Sequence, residues 1–197
     1  MNSKYLISVV LFICIIMTGC GTSNDNTSLE ESSFDSKSSS DNNLSYDETI
    51  EKIISEEYKI SFLGDFNKLT PPHRFENMVE NVEDLGHINS NEYIASIIMA
   101  DQFSNVESTE VLNLIESGVP VFIDRSAITI EELIKWIEGK DVPDEMGESR
   151  SDEELVYVLK DKEGEISYGV LVPSKEDSDW LSLLYKEILY VSYTESL

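Results

Sequence analysis

The sequence has little cysteine, little histidine and little positive charge. Its 197 residues include 2 Cys and 2 His, and 14 Lys plus Arg stand against 39 Asp plus Glu. Cys14 lies inside an apolar segment near the start of the chain and Cys20 lies just after it, so residues 21–197 contain no thiol. The folded region therefore has no disulfide, no cysteine nucleophile and no cysteine-based metal site.

Residue patterns that carry chemistry are also scarce. His73 and His87 have no partner at a metal-ligand spacing, and both are expected to face solvent rather than act as bases. The domain contains no G-x-S-x-G or S-x-x-K nucleophile pattern, no G-x-G-x-x-G and no P-loop. The sequence thus predicts no catalytic residue, no metal ligand and no cofactor.

Negative charge is abundant, with a formal net charge of −25. Residues 47–197 alone contain 34 acidic and 12 basic residues, so the charge belongs to the domain and not to a tail. Such a chain is repelled by phosphate backbones, which argues against nucleic-acid binding. Two interpretations remain: the charge keeps an exposed domain soluble, or it attracts a cationic peptide, protein or divalent metal.

The carboxylates do not follow a known cation-binding loop. Four closely spaced acids lie over residues 141–148 of one polar loop and two flank residue 178 in another, but neither loop has the EF-hand pattern. We expect adventitious cation binding there rather than a built site; the acids are Asp141, Asp144, Glu145, Glu148, Asp177 and Asp179. Paired carboxylates for glycoside hydrolysis cannot be assigned either, because dozens of pairs are conceivable.

The first twenty residues have the layout of an export signal. Lys4 precedes an apolar run over residues 5–17, which is shorter than the roughly 20 residues that a membrane-spanning helix needs. The following Met17-Thr18-Gly19-Cys20 resembles the lipobox of type II bacterial signal peptides. That resemblance implies cleavage before Cys20, a diacylglyceryl group on its sulfur, and anchoring on the outer side of the cytoplasmic membrane. The alternative is an uncleaved anchor with an incidental cysteine.

A polar segment separates this leader from the domain. Residues 21–44 are mainly Ser, Asn, Thr and Asp, which cannot bury enough apolar surface to fold. Their expected mean reach is about 25–30 Å. The predicted organisation is a signal peptide over 1–19, a lipidated cysteine and tether over 20–44, and one acidic domain over 45–197. Gly21 and the long tether look like those of Gram-positive lipoproteins.

Hydrophobic periodicity predicts an α+β domain, with N-terminal helices packed on a small, mainly antiparallel C-terminal sheet. Capping boxes at Ser45/Glu48 and Thr129/Glu132 mark two helix starts. The predicted helices cover residues 45–58, 70–85, 90–98, 108–116, 129–139 and 178–186. The predicted strands cover 119–123, a hairpin over 154–160 and 165–172, and 188–194, although the periodicity over 180–190 is ambiguous.

Aromatic residues crowd the C-terminal part and provide the candidate binding residues: Tyr157, Tyr168, Trp180 and Tyr190. Tyrosine and tryptophan beside carboxylates suit a cationic, partly apolar partner, although they also suit the rim of a small core. The predicted function is a membrane-tethered binding protein that sequesters a cationic peptide or protein. In general design this resembles self-immunity lipoproteins. A carboxylate-dependent cell-envelope hydrolase and a structural or assembly lipoprotein are the alternatives, and the sequence favours a non-enzymatic role.

Overall fold

Six strands form a single mixed sheet at the centre of the domain. The computed structural model describes residues 44–140, 154–172 and 179–196. Its strands are β1 (Lys59–Leu63), β2 (Val79–Asn81), β3 (Tyr93–Ile98), β4 (Val121–Asp124), β5 (Leu155–Lys160) and β6 (Ile166–Leu171). Their spatial order is β2-β1-β3-β4-β5-β6. The first four strands are mutually parallel, whereas β5 pairs antiparallel with both β4 and β6.

Helices cover both faces of this sheet. They are α1 (Tyr46–Ser55), α2 (Ala100–Phe103), α3 (Ser108–Glu116), α4 (Ile130–Glu138) and α5 (Trp180–Thr194). One apolar cluster joins α1 and α5 to one face, with Ile53, Phe62, Ile97 and Ile188 buried in it. The second cluster joins α3 and α4 to the other face. Within the described residues, no helix is both long enough and apolar enough to cross a membrane.

The predicted arrangement of N-terminal helices on a C-terminal antiparallel sheet is therefore wrong. Strands begin at residue 59, and most of the sheet is parallel with helices between its strands. The main error falls on β3, which was predicted as a helix. All six of its residues are buried, because a central parallel strand is covered on both faces. Its continuous apolar run lacks the two-residue alternation of a half-exposed strand, so it imitates a helix.

Two further elements differ from their predictions. Residues 70–85 were expected to be a helix starting at Thr70, but they form turns, a 3₁₀ turn over Glu76–Met78 and the short strand β2. Pairing of β2 with β1 replaces the expected helix, and Phe75 and Met78 are still buried. Residues 188–194 were predicted as a strand, but they belong to α5. The buried residues of this helix, Leu184, Tyr185, Ile188 and Leu189, recur at helical spacing.

The remaining predicted elements are confirmed. Both capping boxes are formed, at Ser45 before α1 and at Thr129 before α4, and Gly139 ends α4 in the left-handed conformation. The structure also has α3 at its predicted bounds, β4 near its predicted position, and the β5–β6 hairpin. The leader, the tether up to residue 43 and the acidic loop over 141–153 lie outside the described residues.

Candidate functional site

A cleft opens at the carboxyl ends of β1, β2 and β3. The chain leaves β1 for β2 on one side and returns to β3 on the other, so the strand order reverses at β1. Ligands of open α/β sheets bind outside the carboxyl ends of the strands at such a reversal. Here the cleft has a volume of about 400 Å³ and is lined by Leu63, Gly64, Asp65, Asn81, Val82, Glu83, Asp101 and Gln102.

Gly64 allows the floor of this cleft to form. It follows β1 with φ of +126°, a conformation that side-chain-bearing residues rarely adopt. A Cβ atom placed there would lie 2.6 Å from Met99 Cβ and 2.7 Å from Asp101 Oδ1. The glycine therefore lets the end of β1 approach the start of α2, and it brings Asp101 beside Asp65.

Hydrogen bonds orient two of the carboxylates. The backbone N–H and the side-chain amide of Asn67 donate to Asp65, at 3.0 and 2.7 Å. These bonds favour the ionised form and lower the pKa of Asp65. The backbone N–H of Asp65 donates to Asp101 Oδ1 at 3.3 Å, and Gln102 Nε2 donates to Asp101 Oδ2 at 3.1 Å. Asp65 thus contributes a fixed negative charge to the cleft at neutral pH.

Several basic side chains of the described residues form ion pairs away from the cleft. Lys59 contacts Glu80 at 2.8 Å, Lys160 contacts Glu116, and Lys186 lies 3.5 Å from Asp47. Among the ion pairs of the described residues, none involves Asp65, Glu83 or Asp101, and no described residue lining the cleft is basic. The negative charge of the cleft is therefore not neutralised by an ion pair with a described basic residue.

The structure distributes the four predicted aromatic residues over different surfaces. Tyr157 and Tyr168 lie on opposite faces of the β5–β6 hairpin, the first against the α1/α5 cluster and the second against the α3/α4 cluster. Tyr168 donates to Glu138 Oε1 at 3.0 Å, and burial raises the pKa of Tyr157 to about 12. Trp180 and Tyr190 share α5 but are ten residues, or about 15 Å, apart along its axis. The four residues do not form one continuous aromatic surface.

The other residues considered from the sequence lie outside the cleft. His73 and His87 are exposed, and neither is among the residues that line it. Of the candidate calcium ligands, only Asp179 is described, at the start of α5. The described part of the chain contains no group of three His, Cys, Asp or Glu residues placed to hold a metal ion.

Sequence reasoning missed the cleft because it missed the strands that build it. A polar residue closes or follows each contributing strand: Asp65 after β1, Asn81 at the end of β2 and Asp101 after β3. That pattern is visible in the sequence once residues 59–63, 79–81 and 93–98 are assigned to parallel strands. With helices predicted over 70–85 and 90–98, these polar residues had no common location.

Comparison with known proteins adds no family assignment. The chain matches no protein-family model, and neither the curated proteins nor the solved structures give a significant match to it.

Proposed function

We propose that this chain is a lipid-anchored binding protein of the outer side of the cytoplasmic membrane, and that its acidic cleft receives basic side chains of a peptide or protein. The cleft is the observation that carries the proposal. Three carboxylates, Asp65, Glu83 and Asp101, line an open volume at the reversal of strand order, and no described lining residue is basic. Asn81 adds a carboxamide oxygen, which can accept a hydrogen bond from an ammonium or guanidinium group.

Charge and contact area have separate roles in this mechanism. An exposed ion pair contributes only about 0–1 kcal/mol, so three exposed carboxylates do not hold a partner by charge alone. The large negative charge accelerates encounter with a cationic partner, and contacts around the cleft set the residence time. Binding should therefore weaken with salt without being abolished near physiological ionic strength.

The test compares two variants of equal charge. In the cleft variant, Asp65→Asn, Glu83→Gln and Asp101→Asn remove three charges and keep acceptor oxygens. In the control, Glu76→Gln, Glu92→Gln and Glu163→Gln remove three exposed charges elsewhere. Membranes displaying each full chain are incubated with the culture supernatant of the cells that make it, at about 0.02 M and about 0.15 M salt. Bound peptides and proteins are then measured by mass spectrometry.

We expect one basic peptide or protein to stay bound to the unchanged chain and to the control variant at the higher salt concentration. The cleft variant should lose that species about tenfold or more, which corresponds to about 1.4 kcal/mol. Equal losses in both triple variants would show that net charge alone attracts the partner. Release of all basic species together at the higher salt would contradict a specific cleft.

A further inference from the structure

A second cavity lies at the opposite end of the sheet. It has a volume of about 290 Å³ and is formed where β1 and β3 begin, beside the C-terminal turns of α5. The polar and aromatic side chains that line it include Tyr58, Tyr93, Tyr193, Ser192, Ser196 and Lys162. This volume is close to the lower limit for ligand pockets, so any ligand is small. No described residue lining the cavity carries a carboxylate, although the chain has 39 acidic residues.

Ser192 provides a buried hydroxyl group in this cavity. The residue is 4% exposed, and its Oγ atom has no hydrogen-bond partner among the described residues. In a helix, a serine or threonine hydroxyl can donate to the carbonyl oxygen four residues earlier, as Thr194 does to Tyr190 at 2.7 Å. The Ser192 hydroxyl makes no such bond. Ser196, by contrast, donates to the carbonyl oxygen of Gly118 at 3.0 Å. A buried polar group without a partner destabilises the fold, and Ser192, unlike the likewise unpartnered Ser61 and Ser96, lines this cavity, where a ligand can supply the missing partner.

Lys162 provides a positive charge at the same cavity. It lies in the β5–β6 turn, and no ion pair or hydrogen bond of its ammonium group is found among the described residues. The carboxylate of its neighbour Asp161 accepts bonds from the backbone N–H groups of Glu163 and Glu165, at 2.9 and 3.0 Å. These bonds hold the Asp161 carboxylate in the turn, where it lines an adjoining cavity together with Lys162, Glu163 and Glu195.

Three tyrosines supply ring surfaces around the hydroxyl and the ammonium group. Tyr93 is 7% exposed, and Tyr58 and Tyr193 are partly exposed. Lys52 Nζ lies 5.1 Å from the centre of the Tyr193 ring, and Lys59 Nζ lies 5.8 Å from that of Tyr93. Aromatic faces pack against flat or ring-shaped groups.

We propose that this cavity binds a small monocarboxylate whose body is a single ring. Its carboxylate pairs with Lys162, a polar group on the ligand bonds the Ser192 hydroxyl, and its ring packs among Tyr58, Tyr93 and Tyr193. The site is independent of the acidic cleft, because the two lie at opposite ends of the parallel strands and share no lining residue. The chain would then carry a small-molecule site in addition to its proposed partner site.

Three pairs of probes test this proposal on the full chain: benzoate with benzamide, cyclohexanecarboxylate with cyclohexanecarboxamide, and glucuronate with glucuronamide. Binding is followed by calorimetry. The variants are Lys162→Gln and Ser192→Ala. The controls are Lys140→Gln and Ser55→Ala, which change the same residue types at exposed positions outside the cavity. The three ring types distinguish an aromatic, an aliphatic and a sugar ligand.

The expected result is that at least one acid binds about fivefold tighter than its amide, the effect of one exposed charge pair. Lys162→Gln should remove that preference. Ser192→Ala should weaken binding about fivefold while leaving the melting temperature equal or higher, because it deletes an unpartnered hydroxyl. A purely structural role for Ser192 predicts the opposite change in melting temperature. Binding by none of the six probes, equal affinities within every pair, or no effect of either variant would overturn the proposal.

Discussion

Tyr185 links the C-terminal helix to a loop near the start of the domain. Its side chain is fully buried, and its hydroxyl donates to the carbonyl oxygen of Leu69 at 2.8 Å. Burial raises the pKa of Tyr185, so the hydroxyl remains a protonated donor at neutral pH. We predict that Tyr185→Phe lowers the free energy of unfolding by about 1–2 kcal/mol, because the carbonyl loses its partner. Urea denaturation measures this difference.

The matched control for that prediction is Tyr190→Phe on the same helix. Tyr190 is partly exposed and packs against Tyr46 with a ring-centre distance of 4.8 Å, and no hydrogen bond of its hydroxyl is found within the described ranges. Its substitution should change stability by less than about 0.5 kcal/mol. A Tyr185→Phe effect no larger than that of the control would contradict the role given to the hydroxyl.

At the level of single residues, the sequence identifies some local roles but not the contacts between distant residues. Ser45, Thr129 and Gly139 act on backbone groups within four residues, and all three helix-end assignments are confirmed. The Tyr185 hydroxyl meets a carbonyl 116 positions away. Asp65 and Asp101, which are 36 positions apart, likewise meet only after the sheet has formed. Nothing in the local sequence specifies such contacts.

Among the helices, α4 depends on a cap that the sequence predicts. The Thr129 hydroxyl accepts from the backbone N–H of Glu132 at 3.2 Å, and Glu132 Oε2 accepts from the backbone N–H of Thr129 at 2.9 Å. We predict that Thr129→Ala lowers the free energy of unfolding by about 1 kcal/mol, because one N–H at the helix start loses its acceptor. Thermal and urea denaturation of the variant measure the change.

Thr109→Ala is the control for this cap. Thr109 is an exposed residue in the first turn of α3 rather than its cap, and alanine favours helices intrinsically. The control should therefore be neutral or slightly stabilising. If the two threonine variants are equally stable, the capping box at Thr129 does not contribute as stated.

The helix α4, which has a polar face, is predicted correctly, whereas the fully buried strand β3 is not. The helix α4 buries Leu133 and Ile137 and exposes Glu132 and Lys135, so its helical periodicity can be recognised in the sequence. The strand β3 has no exposed position, and its residues fit a helix as well as a strand. Burial on both faces removes the alternation that would have distinguished the two.

The whole molecule presents two chemically different ends of one sheet. Three carboxylates line the cleft where β1–β3 end, whereas the cavity where β1 and β3 begin is lined by tyrosines and Lys162 and by no described carboxylate. The overall composition predicted an acidic domain, but not these two sites. Sheet order decides their location, since parallel strands bring all of their carboxyl ends to the same edge. The order arises from pairings between segments far apart in the chain, which periodicity within each segment cannot reveal.

Anchoring of the chain can be tested through its two cysteines. If Cys20 is the lipidated residue, Cys20→Ala should give an unprocessed precursor or a chain shed into the medium, because the acyl chains that hold it on the bilayer are missing. Cys14→Ala changes the other cysteine, which the proposal places in the discarded leader, and should leave the mature protein membrane-bound with unchanged mass. Membrane fractionation and intact-mass measurement separate these outcomes. Retention of the Cys20→Ala chain on the membrane with the mass of the unaltered mature protein, corrected for the substitution alone, would exclude lipidation at Cys20.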